Sequence, residues 1–361
     1  MKRKKIAIFQ ANLNVGGIQR SLVNLLSSDI LNEYEVDLYL FSRDIFYDIS
    51  RFKENIHIFF LKPFPYWFRF IPFGIIKKLS FYKNIPDIYD FVFDFDSYRQ
   101  ECAYCTTKML KPKKILWIHN DMEQELRFNK KYRVLYLFMK GKFQFYDTFA
   151  AVSKGVVNPF RSYSGQKEAP IVIIPNIINT EEILDKSSEV TDITVDPMCC
   201  NVICVGRIYV QKGYDFLLKD FYAAYQKRKD LRCYIVGDGP DADYYKKWVK
   251  NYGLSNVVYF LGNRKNPFSI MKQMDAFCLE SRYEGQGLVL WEAKCLGLQL
   301  IFPKRLEKYN SSLAGVDSVV EALVKLEKKE KKQNHLIEYH ENIVKQYGNL
   351  LWDSFENRCN I

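Results

Sequence analysis

Short apolar runs rich in Ile, Val, Phe and Tyr alternate along this chain with segments of helical period. Residues 5–9, 35–41, 55–61, 89–94, 114–118, 147–152 and 171–174 read as strands, with helical segments between several of them, notably 17–28 and 124–142. That alternation predicts a parallel sheet with covering helices. A polar, acidic stretch from Thr180 to Pro197 reads as a boundary. The rhythm then restarts, with strands expected at 200–205, 231–236, 257–260, 275–279 and 298–302. Helices are expected at 212–227, 241–252, 267–273, 288–296 and 313–328. Asn334 to Phe355 looks helical and amphipathic. The pattern predicts an α/β protein of two doubly wound, Rossmann-like domains facing one another. They would span 1–180 and 198–340, with a terminal helix in 341–361 packing back on the first. Ligands in such sheets bind at the carboxyl ends of the strands.

Composition narrows the class. The chain has 361 residues, 48% of them hydrophobic and 16% aromatic, enough for two cores. No run of 18 apolar residues occurs, so no membrane-spanning helix is expected. Polar Gln10 and Asn12 follow the basic start at once, which argues against a signal peptide. Nine irregularly spaced cysteines then suggest reduced thiols in a cytosolic protein. Cys102-Ala-Tyr-Cys105 has neither a second pair nor nearby histidines, so it is expected to hold no metal.

Charge changes the picture further. Nearly all of the formal +11 falls in residues 1–180, and such asymmetry suits an anionic surface. Two stretches there, Lys62 to Lys83 and Lys130 to Phe145, interleave cations with aromatic and aliphatic residues. They suit a helix lying in a membrane interface. No nucleic-acid-binding motif accompanies them, so nucleic acid is not an expected partner.

The candidate chemistry centres on Glu284-Gly-Gln-Gly-Leu-Val-Leu-Trp-Glu292. Strand, turn and helix in succession would put Glu284 in the turn and Glu292 about two turns into the helix, both facing one cleft. The free amides of Gly287 and Leu288 would lie between them, at a helix N-terminus that favours an anion. An ordinary loop with two surface glutamates is the plainer reading. Gly16-Gly17, between the first strand and the first helix, lets backbone approach a phosphate. In Val205-Gly206-Arg207 to Lys212-Gly213, Arg207 can grip phosphate oxygens in a fork and Lys212 adds a point charge. His119, ending the strand 115–118, is placed to hydrogen-bond a substrate. Asp94-Phe-Asp96 could hold Mg²⁺, but the cations and helix ends can neutralise a diphosphate without it. No metal or cofactor is therefore expected.

Taken in order, Gly16-Gly17, His119, Val152-Ser153, Pro175-Asn176, Gly206-Arg207 with Lys212-Gly213, Gly237-Asp-Gly239-Pro, Phe260-Leu-Gly262 and Glu284 to Glu292 resemble the retaining glycosyltransferases of the GT-B fold. The likeness is to glycosyltransferase family 4, the "glycosyl transferases group 1" family, and its capsule, exopolysaccharide and O-antigen enzymes in particular. The resemblance departs at Gln286, and where Lys304-Arg-Leu-Glu-Lys-Tyr309 replaces the usual glycine turn. It implies that Glu284 accepts from donor-sugar hydroxyls and Glu292 holds the ribose. Arg207 and Lys212 would stabilise the leaving diphosphate, helped by amides of Gly17, Gly287 and Leu288, and His119 would contact the sugar near the reacting carbon. The expected function is transfer of a hexose or N-acetylhexosamine from a nucleotide sugar, UDP-linked, to a polyprenyl-diphosphate-linked glycan at the inner face of the cell membrane. Two other readings stay open: another GT-B enzyme, phosphorylase-like or epimerase-like, or a non-catalytic nucleotide-sugar-binding scaffold.

Overall fold

Strands that are apolar on both faces need cover on both sides, and each of the two sheets in this chain receives it. The computed structural model describes residues 3–352. The chain divides into two units, one made of the residues up to Ile177 and from Glu338 onward, the other of Ile178–Ile337.

The first unit holds β1 (Lys4–Gln10), β2 (Tyr34–Leu40), β3 (Ile56–Phe60), β4 (Phe91–Asp94), β5 (Lys113–Ile118), β6 (Thr148–Ala151) and β7 (Ile171–Ile173). They form one parallel sheet in the order β3-β2-β1-β4-β5-β6-β7. The second unit holds β8 (Cys200–Val205), β9 (Leu231–Val236), β10 (Val258–Gly262), β11 (Ala276–Cys278) and β12 (Gln299–Ile301), parallel in the order β10-β9-β8-β11-β12. Strand order reverses between β1 and β4 in one sheet and between β8 and β11 in the other. The crevices of a doubly wound fold open at these switch points, beyond the carboxyl ends. Every strand read from the apolar pattern is present, with ends within two residues of expectation.

Helices match less closely, for local reasons. The expected helix over 124–142 is two, Met122–Phe128 and Lys130–Met139, followed by a 3₁₀ stretch over Lys140–Phe145. Asn129 divides them: its side-chain Oδ1 accepts from Tyr132 N at 3.0 Å and so caps the second helix. The helix expected over 313–328 is confined to Val319–Val324. Ahead of it Gly315 N donates to Glu307 Oε1, and Val316 bridges to Pro303. The acidic stretch after Asn179 is not all boundary: Thr180–Ser187 is a helix of the second unit, capped by Asn179 Oδ1. Helices Gln100–Lys108 and Val157–Ser164 carried no signal clear enough to predict.

The terminal helix is described as Ile337–Trp352, and the remainder of the segment expected to be helical lies outside the described residues. Its residues Ile343, Tyr347, Leu350 and Leu351 share one buried cluster with Leu22, Leu25 and Val23 of the helix Gly17–Leu26 and with β1, β2 and β4. On the other face of that sheet lies a second cluster. It is built from Phe9, Tyr39, Val92 and Tyr104, together with Phe64, Phe68, Phe73 and Ile76 of the basic-aromatic stretch.

That stretch is not the amphipathic helix expected of it. Tyr66–Phe70 is 3₁₀ and Phe73–Ile76 is a single helical turn. Four of its apolar residues serve the core, while Tyr66, Trp67, Phe70 and Ile75 face solvent. Among the described residues no helix is long and apolar enough to cross a membrane.

Candidate functional site

The loops leaving β8 and β11 meet at the switch point of the second sheet. After β8 the chain passes through Gly206 and Arg207 to a 3₁₀ turn, Val210–Lys212, and then Gly213, which opens the helix Tyr214–Lys227. Gly213 has φ +64°, and a Cβ there would lie 2.2 Å from Glu280 O, so only glycine fits. Gly237, at φ +135°, is held as closely: a Cβ would stand 2.1 Å from Gly206 O. These contacts bring three strand ends together and fix where Lys212 can reach.

Lys212 Nζ lies 2.7 Å from Glu284 Oε1, which also accepts from Ser281 Oγ at 2.5 Å. Glu284 is buried and Lys212 half-buried. Residues 72 positions apart are thus joined in one charged pair. Arg207 beside it is exposed and pairs with no carboxylate among the described residues. Its guanidinium lies 5.8 Å from the Tyr209 ring centroid. The arrangement offers a free cation next to a lysine whose ammonium has hydrogens to spare. It suits a ligand carrying both anionic oxygens and hydroxyl donors.

Two arginines that sequence reasoning did not single out brace this pair. Arg282 makes two bonds to the Asp215 carboxylate, at 2.8 and 2.7 Å, and another to Val210 O, while its own N donates to Gln211 O. It therefore ties the Lys212 turn to the Glu284 loop. Arg305 donates to Glu280 O at 2.9 Å and Ser281 O at 3.0 Å. It comes from Lys304–Tyr309, the segment that departs from the family pattern, which folds as a 3₁₀ helix. Glu280 is buried beneath the loop, and burial, followed by the neighbouring Asp220 charge, pushes its carboxyl above the ordinary range. The sequence signal was the charge density of Glu280-Ser-Arg-Tyr-Glu284 after an apolar strand, but nothing in it named the partners.

The region after Glu284 corrects two expectations. The amides of Gly287 and Leu288 are not free: Gly287 N donates to Asn310 Oδ1 at 3.3 Å and Leu288 N to Gln286 O at 3.0 Å. Gly287, at φ −78° and ψ 77°, is the centre of a tight three-residue turn. The helix runs only over Leu288–Cys295, so Glu292 stands about one turn into it. The eight-residue spacing does not follow two helical turns, because its first half is not helix. Glu292 is buried, as Glu284 is.

The remaining candidates lie in the first unit. Gly16 N donates to the Tyr47 hydroxyl at 3.2 Å, and that hydroxyl donates back to Gly16 O at 3.0 Å. Gly17 opens the helix, with nothing within 4 Å of where a Cβ would stand. His119 is buried, and its Nε2 donates to Phe95 O at 2.9 Å. Burial lowers its pKa to about 3. The imidazole is therefore neutral near pH 7, with only Nδ1 left to accept. Asp94 faces Lys142 Nζ at 3.6 Å, both side chains fully buried, and accepts from the Tyr146 hydroxyl. Asp96 accepts from Gln10 Nε2. No cluster of three or more His, Cys, Asp or Glu side chains fit to hold a metal occurs among the described residues. Cys102 and Cys105 are buried free thiols, which burial drives well above the ordinary thiol pKa.

With this geometry in hand, comparison with known proteins defines the fold. The two-unit parallel α/β fold is that of the GT-B glycosyltransferases. Anabaena HepE, solved with UDP and glucose, superposes with a TM-score of 0.62 over 98% of this chain and 95% of its own, at 17% identity. Residues 200–342, which contain the Lys212–Glu284 pair, match the model of the family Glycosyl transferases group 1. Among curated relatives, a glycosyltransferase of Methanocaldococcus jannaschii is 25% identical over 194 residues, 52% of this chain and 47% of its own length. The N-acetylgalactosamine-N,N'-diacetylbacillosaminyl-diphospho-undecaprenol 4-alpha-N-acetylgalactosaminyltransferase of Campylobacter jejuni is 27% identical over 309 residues, 80% of this chain and 78% of its own.

Proposed function

We propose that this protein transfers a hexose or N-acetylhexosamine, with retention of configuration, from a UDP-linked sugar to a polyprenyl-diphosphate-linked glycan in surface polysaccharide synthesis. The observation that carries the reading is the Lys212–Glu284 pair at the β8–β11 switch point, with unpaired Arg207 beside it. The UDP of HepE and the undecaprenyl-linked acceptor named for the Campylobacter relative support the donor and acceptor classes.

In this reading Arg207 and Lys212 oppose the charge that grows on the departing diphosphate. Cations already in place need no reorganisation when the bond breaks. Glu284 accepts from donor-sugar hydroxyls while sharing Lys212, and Glu292 holds the ribose. Gly287 and Leu288 shape the backbone around the phosphates. For Gly287 and Leu288 an amide contact requires displacement of the present acceptors. His119, neutral, offers Nδ1 to a sugar hydroxyl. The departing phosphate oxygen can take the acceptor's proton, so no protein base is needed. The exposed aromatic and basic residues of the first unit suit peripheral contact with an anionic membrane.

The test is a thermal-shift panel of UDP, GDP, CDP and ADP with their sugars. A ligand at about a hundred times its dissociation constant stabilises by roughly 2.7 kcal/mol. A shift with a UDP sugar that disappears in Arg207→Ala is the expected result. No shift with any nucleotide would sink the reading. Anomeric analysis of the product by NMR decides retention.

A further inference from the structure

Beneath the loop that carries Glu284 lies a buried carboxyl with no part in the chemistry proposed above. Glu280 stands two residues past the end of β11 and is only 3% exposed. Three elements meet at its backbone. Gly213, which opens the helix Tyr214–Lys227, packs so closely on the Glu280 carbonyl that a Cβ would lie 2.2 Å from the oxygen. Arg305, of the 3₁₀ segment Lys304–Tyr309, donates to that same oxygen at 2.9 Å and to Ser281 O at 3.0 Å. Ser281 in turn gives its hydroxyl to Glu284 Oε1 at 2.5 Å, and Glu284 holds Lys212. A displacement of Glu280 therefore reaches both members of the charged pair.

The side chain leaves one oxygen unsatisfied. Glu280 Oε2 stands 3.5 Å from Arg305 Nη2, a long contact to a nitrogen already engaged by two carbonyls. Oε1 is buried with no hydrogen-bond partner. The carboxylate beside it is Asp220, of the helix Tyr214–Lys227. Two carboxylates set against one another, one of them buried, do not both stay charged without a large cost. A proton on Oε1 turns the orphan acceptor into a donor, and a bond from O–H to carboxylate is among the stronger hydrogen bonds. Burial first, then the Asp220 charge, favours that protonated form against the pull of Arg305. Two thiols also face Glu280, Cys204 of β8 and Cys278 of β11. Burial raises both, Cys204 to about 12, and keeps them uncharged.

We propose that Glu280 is a positioning residue: its protonated carboxyl donates from Oε1 to Asp220 and holds the Glu284 loop against the helix Tyr214–Lys227, and loss of that proton in alkaline solution loosens the loop and weakens nucleotide binding. With the proton in place, one hydrogen bond joins the loop to the helix that Gly213 opens. Without it, two like charges face one another and push the same elements apart. Arg305 cannot offset this, because its side chain is 41% exposed and its nearer bonds go to carbonyls. The loop then loses the geometry that sets Ser281 against Glu284, and Lys212 loses its fixed partner. The inference rests on the nucleotide-sugar reading of the Lys212–Glu284 pair and adds to it a control by pH.

The test is calorimetric titration of the full chain with UDP at pH 7 and pH 9. A second arm needs no ligand: protection of the amides of residues 280–286 against hydrogen exchange, corrected for the intrinsic rate at each pH. In the parent the UDP dissociation constant is expected to rise by about fivefold or more between the two, as for linked sites, and protection of the loop to fall. Glu280→Gln keeps a donor toward Asp220 that does not titrate, so both changes should be absent. Asp220→Asn removes the repulsion and should flatten both profiles as well. Glu280→Ala has no donor and should bind UDP weakly already at pH 7, which Glu280→Gln restores. Should the alanine variant fail to fold, the comparison of parent with Glu280→Gln decides alone. A pH response that is the same in parent and Glu280→Gln, or missing from the parent's loop protection, overturns the inference. If the parent binds no UDP at either pH, the glycosyltransferase reading fails. Loop protection lost at pH 9 in the parent and kept in Glu280→Gln would then still support the role of the proton.

Discussion

At the scale of single residues, the site depends on one charged pair held by glycines. Lys212→Met removes the cation that the proposed reading sets against the diphosphate and leaves Glu284 the hydrogen bond from Ser281 Oγ. Turnover is expected to fall by about 10²–10³, the magnitude seen when a preorganised electrostatic contact is deleted. UDP-sugar binding should weaken less, and steady-state kinetics separates the two. Gly213→Ala would set a methyl 2.2 Å from Glu280 O at a positive φ. A loss of about 2 kcal/mol or more is expected in urea denaturation, and a stability equal to the parent's would refute the tight approach. The residue types were legible: glutamate, lysine and arginine at strand ends are what the proposed nucleotide-sugar site needs. Their pairing was not, since no local rule ties position 212 to position 284. Ser281 and Asn310 were invisible for the same reason, each acting through a contact distant in the chain or hidden in a turn.

At the scale of elements, the strands were nearly all readable because both-face burial leaves a continuous apolar signature, as in Ile6 to Phe9. Helices were less so where one side chain decides. Asn129 splits what periodicity joins, and Gly315 is pinned against Lys304 and Phe302, which shortens the helix that follows. The same dependence gives the departing segment Lys304–Tyr309 its consequence. Arg305 holds two carbonyls of the loop that carries Glu284. Arg305→Met keeps much of the side chain's bulk but frees both. The expected outcome is a KM for the nucleotide sugar raised several-fold, with more rapid amide hydrogen exchange in residues 280–286. Unchanged exchange would show that the arginine does not brace the loop.

At the scale of the whole molecule, two buried titratable groups give the units opposite responses to pH. His119 in the first unit has its pKa lowered to about 3 from 6.5 by burial. Below about pH 6.5 the unfolded chain takes a proton that the folded unit refuses, so stability present above that pH is lost as pH falls. Glu280 in the second unit is raised above its ordinary 4.5. As pH climbs past that value the unfolded chain releases a proton that the folded unit retains, so stability is lost as pH rises. Urea denaturation at pH 5 and 7 should show His119→Gln relatively more stable at the lower pH. Glu280→Gln should be relatively more stable at the higher. The reverse ordering in either variant would mean that the group is charged differently from what its burial dictates.

The terminal helix has a consequence for how the protein is made. Ile343, Tyr347, Leu350 and Leu351 complete a core whose other buried members lie no later than Ile177. The second unit is therefore an uninterrupted insert, and the first is completed only by a helix that follows it. On the ribosome the leading sheet emerges early, with part of its apolar surface uncovered, and waits for about 160 further residues before its last helix arrives, whereas the inserted unit can fold as soon as it emerges. Shortening the chain from its far end should thus disable the unit that was synthesised first.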